Sequence, residues 1–203
     1  MPPETAGARS KRSLILSVAI ENFGQNGYER TTWAKIAGQV GIGQTALYHY
    51  FESKAHCLLT IMSLELNRSL EAFREVTADV PQADEALRAA IATAYDVSPR
   101  EVLQMRILHS HMDLLATRRP SEKEELERQR ARGLVRDIER EWTMLIDRGM
   151  AAGEFARRDA HAVASVVLAM VVSVWPWYRT GGKVTLLQVR EDVTGACLRV
   201  VGS

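Results

Sequence analysis

Two cysteines, six prolines and a net charge of +1 are conspicuously little for a chain of 203 residues. Cys57 and Cys197 share no CxxC spacing and no histidine pair at zinc-finger distance. That argues against a disulfide framework or a structural zinc site and reads as two thiols in a reducing cytoplasm. The start, MPPETAGARSKR, lacks the apolar stretch of a secretory signal. The one candidate membrane span, Ala162 to Tyr178, is uncharged over seventeen residues but holds Ser165, Ser173 and Pro176. It sits at the short limit for crossing a bilayer and reads better as a helix buried between subunits. GxSxG, HExxH, phosphate-loop and dinucleotide patterns are all missing, and no Ser/His/acid set can be placed together, so the chain is read as no enzyme. No cofactor is implied. The near-neutral charge gives no global pull on nucleic acid. Residues 9–60, however, carry six basic side chains (Arg9, Lys11, Arg12, Arg30, Lys35, Lys54) against Glu21, Glu29 and Glu52. That surplus permits a phosphate-facing surface without demanding one.

What is present is helical periodicity. A hydrophobic fraction of 46% and a charged fraction of 25% are those of a globular protein long enough to bury a core. Residues 1–8 read as a disordered tail. From Ser10, Leu14, Ile15, Val18, Ala19 and Phe23 predict one apolar helix face, stopped by Gly27. Thr31 or Thr32 can cap a short helix with Ile36, Ala37 and Val40 inward. GIG makes a turn, and Gln44 to Tyr50 predicts a second short helix. Ser53 can cap a long helix striped by Leu58, Met62, Leu66, Leu70 and Phe73. Further helices are expected from Ala86 to near Ser98-Pro99, over about 101–117, and from a Ser121/Glu124 capping box through a seam of Leu134, Ile138, Trp142, Leu145 and Gly149. Two more are expected over about 160–178 and 184–201. Period-two alternation persists nowhere. The fold class expected is all-α.

Two short helices around a glycine turn, preceded by a third, form a three-helix helix-turn-helix arrangement. The stretch VGIGQTALYHYFESK then makes chemical sense. Gln44, at the second helix's start, can bridge adenine N6 and N7, and the Thr45 methyl can touch thymine. Tyr48, His49, Tyr50 and Lys54 are donors suited to phosphate oxygens, while Leu47 and Phe51, four apart, face inward. Against this, Tyr48 and Phe51 could merely seal a small core, His49 could be a solvated helix residue, and Trp33 is expected to pack.

The segment FGQNGYERTTWAKIAGQVGIGQTALYHYFESKAHCLL, Phe23 to Leu59, resembles the DNA-binding domain of the tetracycline-repressor (TetR) family. The resemblance rests on Gly27-Tyr28, Thr31-Thr32, Ile36-Ala37, Gly41-Ile42, Leu47-Tyr48, Tyr50-Phe51 and Ser53-Lys54. It implies a DNA reader over 9–55 and a ligand-binding and dimerisation domain over 56–203. It also implies a homodimer on a palindromic operator of double-stranded DNA, and a repressor released by a small effector. By that resemblance Gln44, Thr45 and Tyr48 contact DNA, and Thr32, Tyr50 and Lys54 touch phosphates. Three positions depart from the family pattern: Gly43 replaces the usual serine cap, Ala46 a hydroxyl residue, and Ala34 a long reader side chain.

The rest of the chain offers less. Leu108, Met112, Trp142, Leu145, Met170, Trp175 and Tyr178 are an aromatic and methionine supply that could line an apolar effector chamber or be plain core. The ending VVSVWPWYRTGGKVTLLQVREDVTGACLRV is similar to that of a TetR subgroup linked to acyl-CoA and lipid catabolism, which implies a lipid-like or acyl-CoA effector. His109 and Asp113 share a helix face but His111 does not, and isolated polar histidines are the default over a metal site. Ala162, Ser165, Ala169 and Ser173 are small enough for close helix approach, with Val166, Val167, Leu168 and Val171 supplying area. This predicts a dimer interface of four helices. The other classes weighed are a helical interaction module and a ligand-blind regulator.

Overall fold

The computed structural model describes residues 6–202, all helix and turn. Among them nine α-helices follow in order: α1 Ala6–Asn26, α2 Trp33–Val40, α3 Gln44–Tyr50, α4 Lys54–Thr77, α5 Ala83–Tyr95, α6 Pro99–Ser110, α7 Glu122–Ala152, α8 Ala160–Val172 and α9 Leu186–Val201. A short 3-10 turn, Met112–Leu115, lies between α6 and α7. The tail expected over 1–8 falls outside the described residues for 1–5, and residues 6–8 are the first turn of α1.

The helices group into two compact units. One unit holds the residues up to Glu65 together with Leu103–Ala131; the other holds Leu66–Val102 and the chain from Arg132 onward. The helices α4, α6 and α7 each contribute to both.

In the first unit α1 buries Ile15, Leu16, Ala19, Ile20 and Phe23. Leu14, expected on this face, is 44% exposed, because the buried stripe runs one residue later. Near its end α1 comes so close to α6 that a Cβ on Gly24 would stand 2.9 Å from the side chain of Leu103. The helix stops at Gly27, whose φ of +86° is left-handed and whose N–H donates to Phe23 O at 3.1 Å. In α6 the expected run to Thr117 breaks at Ser110. The His111 ring bonds to Ile107 O at 2.8 Å, and the chain tightens into the 3-10 turn.

The second unit is built on aromatic pairs. Phe73 packs on Trp142 with ring centroids 5.1 Å apart, and Tyr95 on Trp175 at 5.5 Å. The Tyr95 hydroxyl donates to Val171 O at 2.7 Å, tying α5 to α8. Both α5 and α8 pack on α9. The α8 helix ends at Val172, not near residue 178. Pro176 has no N–H with which to bond Val172 O, and the Trp175 N–H takes that carbonyl instead at 3.2 Å. A Cβ on Gly149 would lie 2.2 Å from the Phe155 ring, so only glycine fits beneath it.

Candidate nucleic-acid interface

The α1–α2 loop begins with Thr31, which is buried and donates to Gly27 O at 2.8 Å and Asn22 O at 3.2 Å. That leaves Thr32 as the cap of α2: its Oγ1 accepts from Lys35 N at 3.2 Å. Trp33, Ile36, Ala37 and Val40 then turn inward. Asn22, on α1, donates to Gln39 on α2 at 2.5 Å. Gly41 closes α2 in the left-handed conformation, φ +72°, where a side chain would be strained.

The α3 helix spans the expected residues. Gly43 is its N-cap and offers no side-chain bond. Leu47 and Phe51 are fully buried, and the Arg12 guanidinium lies 4.8 Å over the Phe51 ring. Gln44, Thr45 and His49 are exposed, Tyr48 is 47% exposed, and Tyr50 is half-buried. Tyr48 leans toward buried Trp33 with centroids 6.5 Å apart. Four of the expected contact residues therefore share one exposed polar surface of α3, anchored by two apolar side chains beneath. Thr32 is exposed at the entrance to α2.

Lys54 differs from that set. Its Nζ donates to Tyr28 O at 2.8 Å and Thr31 O at 3.2 Å, and it sits 4.2 Å over the Tyr28 ring. Two of the three N–H groups of its ammonium are thus used within the chain. Its neighbour Ser53 caps α4 as expected, accepting from His56 N at 2.9 Å, and also donates to the Glu124 carboxylate at 2.5 Å. Glu124 in turn receives Arg119 Nε at 2.9 Å. The expected capping box is therefore half formed: Glu124 N donates to Ser121 Oγ at 3.4 Å, but the Glu124 side chain serves Ser53 and Arg119. Arg128, buried, grips Glu125 through two nitrogens and donates to Leu115 O at 2.8 Å. The Arg128 guanidinium, with the Arg119 backbone N–H donating at 2.9 Å, holds the Glu125 carboxylate far below its usual range. Burial lowers His56, whose Nδ1 accepts from Glu52 N at 3.3 Å.

The expected effector residues are spread over both units. Leu108 and Met112 belong to the first; Trp142, Leu145, Met170, Trp175 and Tyr178 belong to the second. Trp175 is fully buried, Leu108, Trp142, Leu145 and Tyr178 nearly so, and Met112 and Met170 are half-buried. A cavity of about 430 Å³ lies elsewhere, between the end of α1 and α6, lined by Phe23, Tyr28, Arg30, Arg106, Ile107 and His111 among others. None of the seven lines it. Burial pushes His109 down to about 4. His111 packs edge-on to Tyr28 at 5.4 Å, and among the described residues no group of three His, Cys, Asp or Glu is set to hold an ion. Sequence reasoning missed the network of Ser53, Arg119, Glu124, Glu125 and Arg128. The charge run that opens α7 was its only signal.

On α8 the exposed positions include Ala162, Ser165, Val166 and Ala169, continued by Ser173, a single stripe. Val167 and Val171, expected to supply interface area, are instead buried within their own unit. Trp177 and Leu187 stand 53% and 54% exposed. No helix among the described residues is long and apolar enough to cross a membrane.

Two family models cover most of the chain: "Bacterial regulatory proteins, tetR family" over residues 15–61 and "Tetracyclin repressor-like, C-terminal domain" over residues 80–201. The HTH-type transcriptional repressor KstR2 of Rhodococcus jostii is 27% identical over 201 residues, covering 94% of this chain and 92% of that protein. The TetR family regulator PfmR from Thermus thermophilus superposes with a TM-score of 0.76 at 23% identity, covering 92% of this chain and 96% of that one. AibR, solved in complex with isovaleryl coenzyme A and operator DNA, superposes with a TM-score of 0.69 at 22% identity over 92% of this chain and 97% of its own. An exposed, polar α3 on a buried apolar base and two family models spanning both parts of the molecule agree: the chain belongs to the TetR family of DNA-binding, helix-turn-helix transcriptional regulators.

Proposed function

We propose that the chain is a cytoplasmic homodimeric repressor that binds a palindromic operator and lets go when a small apolar or acyl-CoA-like effector binds. The observation that carries the DNA half is the division of α3, with Leu47 buried and Gln44, Thr45, Tyr48 and His49 exposed. Gln44 and Thr45 meet base edges; Thr32, Tyr48, His49 and Tyr50 meet the backbone. The small-residue stripe of α8, with exposed Val166, Trp177 and Leu187, supports pairing with a second copy.

Two copies must present α3 to successive major grooves about 34–36 Å apart. An effector that shifts α4, which starts four residues after α3, spoils that separation. A coupling of about 1–3 kcal/mol is usual for such systems. The acyl-CoA assignment is supported by AibR, which was solved with isovaleryl coenzyme A. The aromatic pairs Phe73–Trp142 and Tyr95–Trp175 make the interior of the second unit apolar, which suits such a ligand.

The test is a gel shift on duplexes selected by the protein from a random pool. Gln44→Ala should cost about 1–3 kcal/mol on the selected site and relax preference at one base pair. Titration of acyl-CoA thioesters of increasing chain length should then release the DNA. Selection of no sequence would refute the reader. Binding that no thioester disturbs would refute the effector.

A further inference from the structure

The side chain that opens α4 has a task that the DNA-binding reading leaves open. Lys54 carries three N–H donors. Two are spent on Tyr28 O and Thr31 O, and the charge rests on the Tyr28 ring face, 4.2 Å from its centroid. Charge-assisted bonds of this kind are about twice as strong as neutral ones. The third N–H is left for the ring face or an outside acceptor, while the other two tie the ammonium to the loop.

We propose that Lys54 is a positioning residue: its ammonium clasps the α1–α2 loop from the α4 side and so sets the Thr32 end of α2, and with it α3, for docking on DNA. The proposal rests on the reading of α2 and α3 as the DNA-facing surface. The geometry is specific. Thr31 O belongs to the peptide that enters Thr32, the residue whose hydroxyl caps α2. Tyr28 O also receives Thr31 N at 3.2 Å, so the clasp holds both ends of that turn. The loop so closed, from Thr31 to Lys54, contains α2 and α3 entire. Ser53, one residue earlier, reaches the other way, to Glu124 at the start of α7. A movement of Glu124 at the start of α7 is thereby handed to the α2 cap through two adjacent side chains, Ser53 and Lys54.

Clasp and phosphate ligand differ in salt dependence. Each neutralised phosphate contributes a slope of about −0.9 in log K against log salt. Binding to a duplex selected by the parent protein from a random pool would be followed by fluorescence anisotropy over a range of KCl. Lys54→Met should bind about tenfold more weakly with the parent's slope, and amides of residues 28–32 should exchange faster. A slope shallower by about 0.9, or an affinity equal to the parent's, would overturn the proposal. If the variant does not fold, the parent answers by NMR of its lysine ammonium groups. The Lys54 signal should stay in place when the duplex is added, and a shift marking a phosphate contact would overturn the clasp. Failure of the parent to select any duplex would remove the DNA reading itself and the clasp with it.

Discussion

The helices α3 and α8 both leave a face uncovered, and the two faces have opposite chemistry. In α3 seven residues bury only Leu47 and turn amide, hydroxyl, phenol and imidazole outward. In α8 thirteen residues bury Val163, Ala164, Val167 and Val171 and turn Ala162, Ser165, Val166 and Ala169 outward. A polar face with directional donors suits a ligand read by hydrogen bonds; a small, smooth face suits another helix lying against it. In each helix the buried residues set the orientation and the exposed ones set the chemistry left on the surface.

The harshest way to break the comparison is to remove what holds α3. Phe51 is fully buried beneath Arg12 and against the edge of His56, so Phe51→Ala should cost about 3–5 kcal/mol in denaturant unfolding. DNA binding should be lost with it. A milder change tests the α8 face. Val166 is 49% exposed, and Val166→Glu should leave unfolding of the chain within about 0.5 kcal/mol of the parent. Sedimentation should nevertheless shift from dimer toward monomer, whereas a monomeric parent would refute the role of the stripe. The smallest effect sharpens the α3 side. Gly43 caps α3 without a side-chain bond, so Gly43→Ser should add a few tenths of a kcal/mol to stability.

Local pattern made the first half legible. The bounds of α3, the Ser53 cap and the inward trio of α2 all follow from neighbours within four residues, whereas the choice of Thr32 over Thr31 as the α2 cap came from the structure. The departures come where a distant partner intervenes. Lys54 looks like a phosphate donor until the carbonyls of Tyr28 and Thr31, more than twenty residues away, accept two of its hydrogen bonds. Glu124 looks like one half of a capping box until Ser53 and Arg119 claim its carboxylate. Apolar spacing marked Trp142, Trp175 and Tyr178 as interior, and they are buried. Spacing carries no information on whether an interior residue borders a void or another side chain, so an effector chamber was not readable from it. The early end of α8 was written in Pro176, but the apolar run around it hid the signal.

Leu103 against Gly24 and Glu124 against Ser53 show that the DNA-facing module borrows part of its floor from residues far along the chain. A fragment cut after Glu65 would keep every side chain proposed to touch DNA and lose the segments that brace them. Fusing such a fragment to a foreign sensor should therefore yield a poorly folded graft. A transplant that also carried residues 103–131 would take its foundation along.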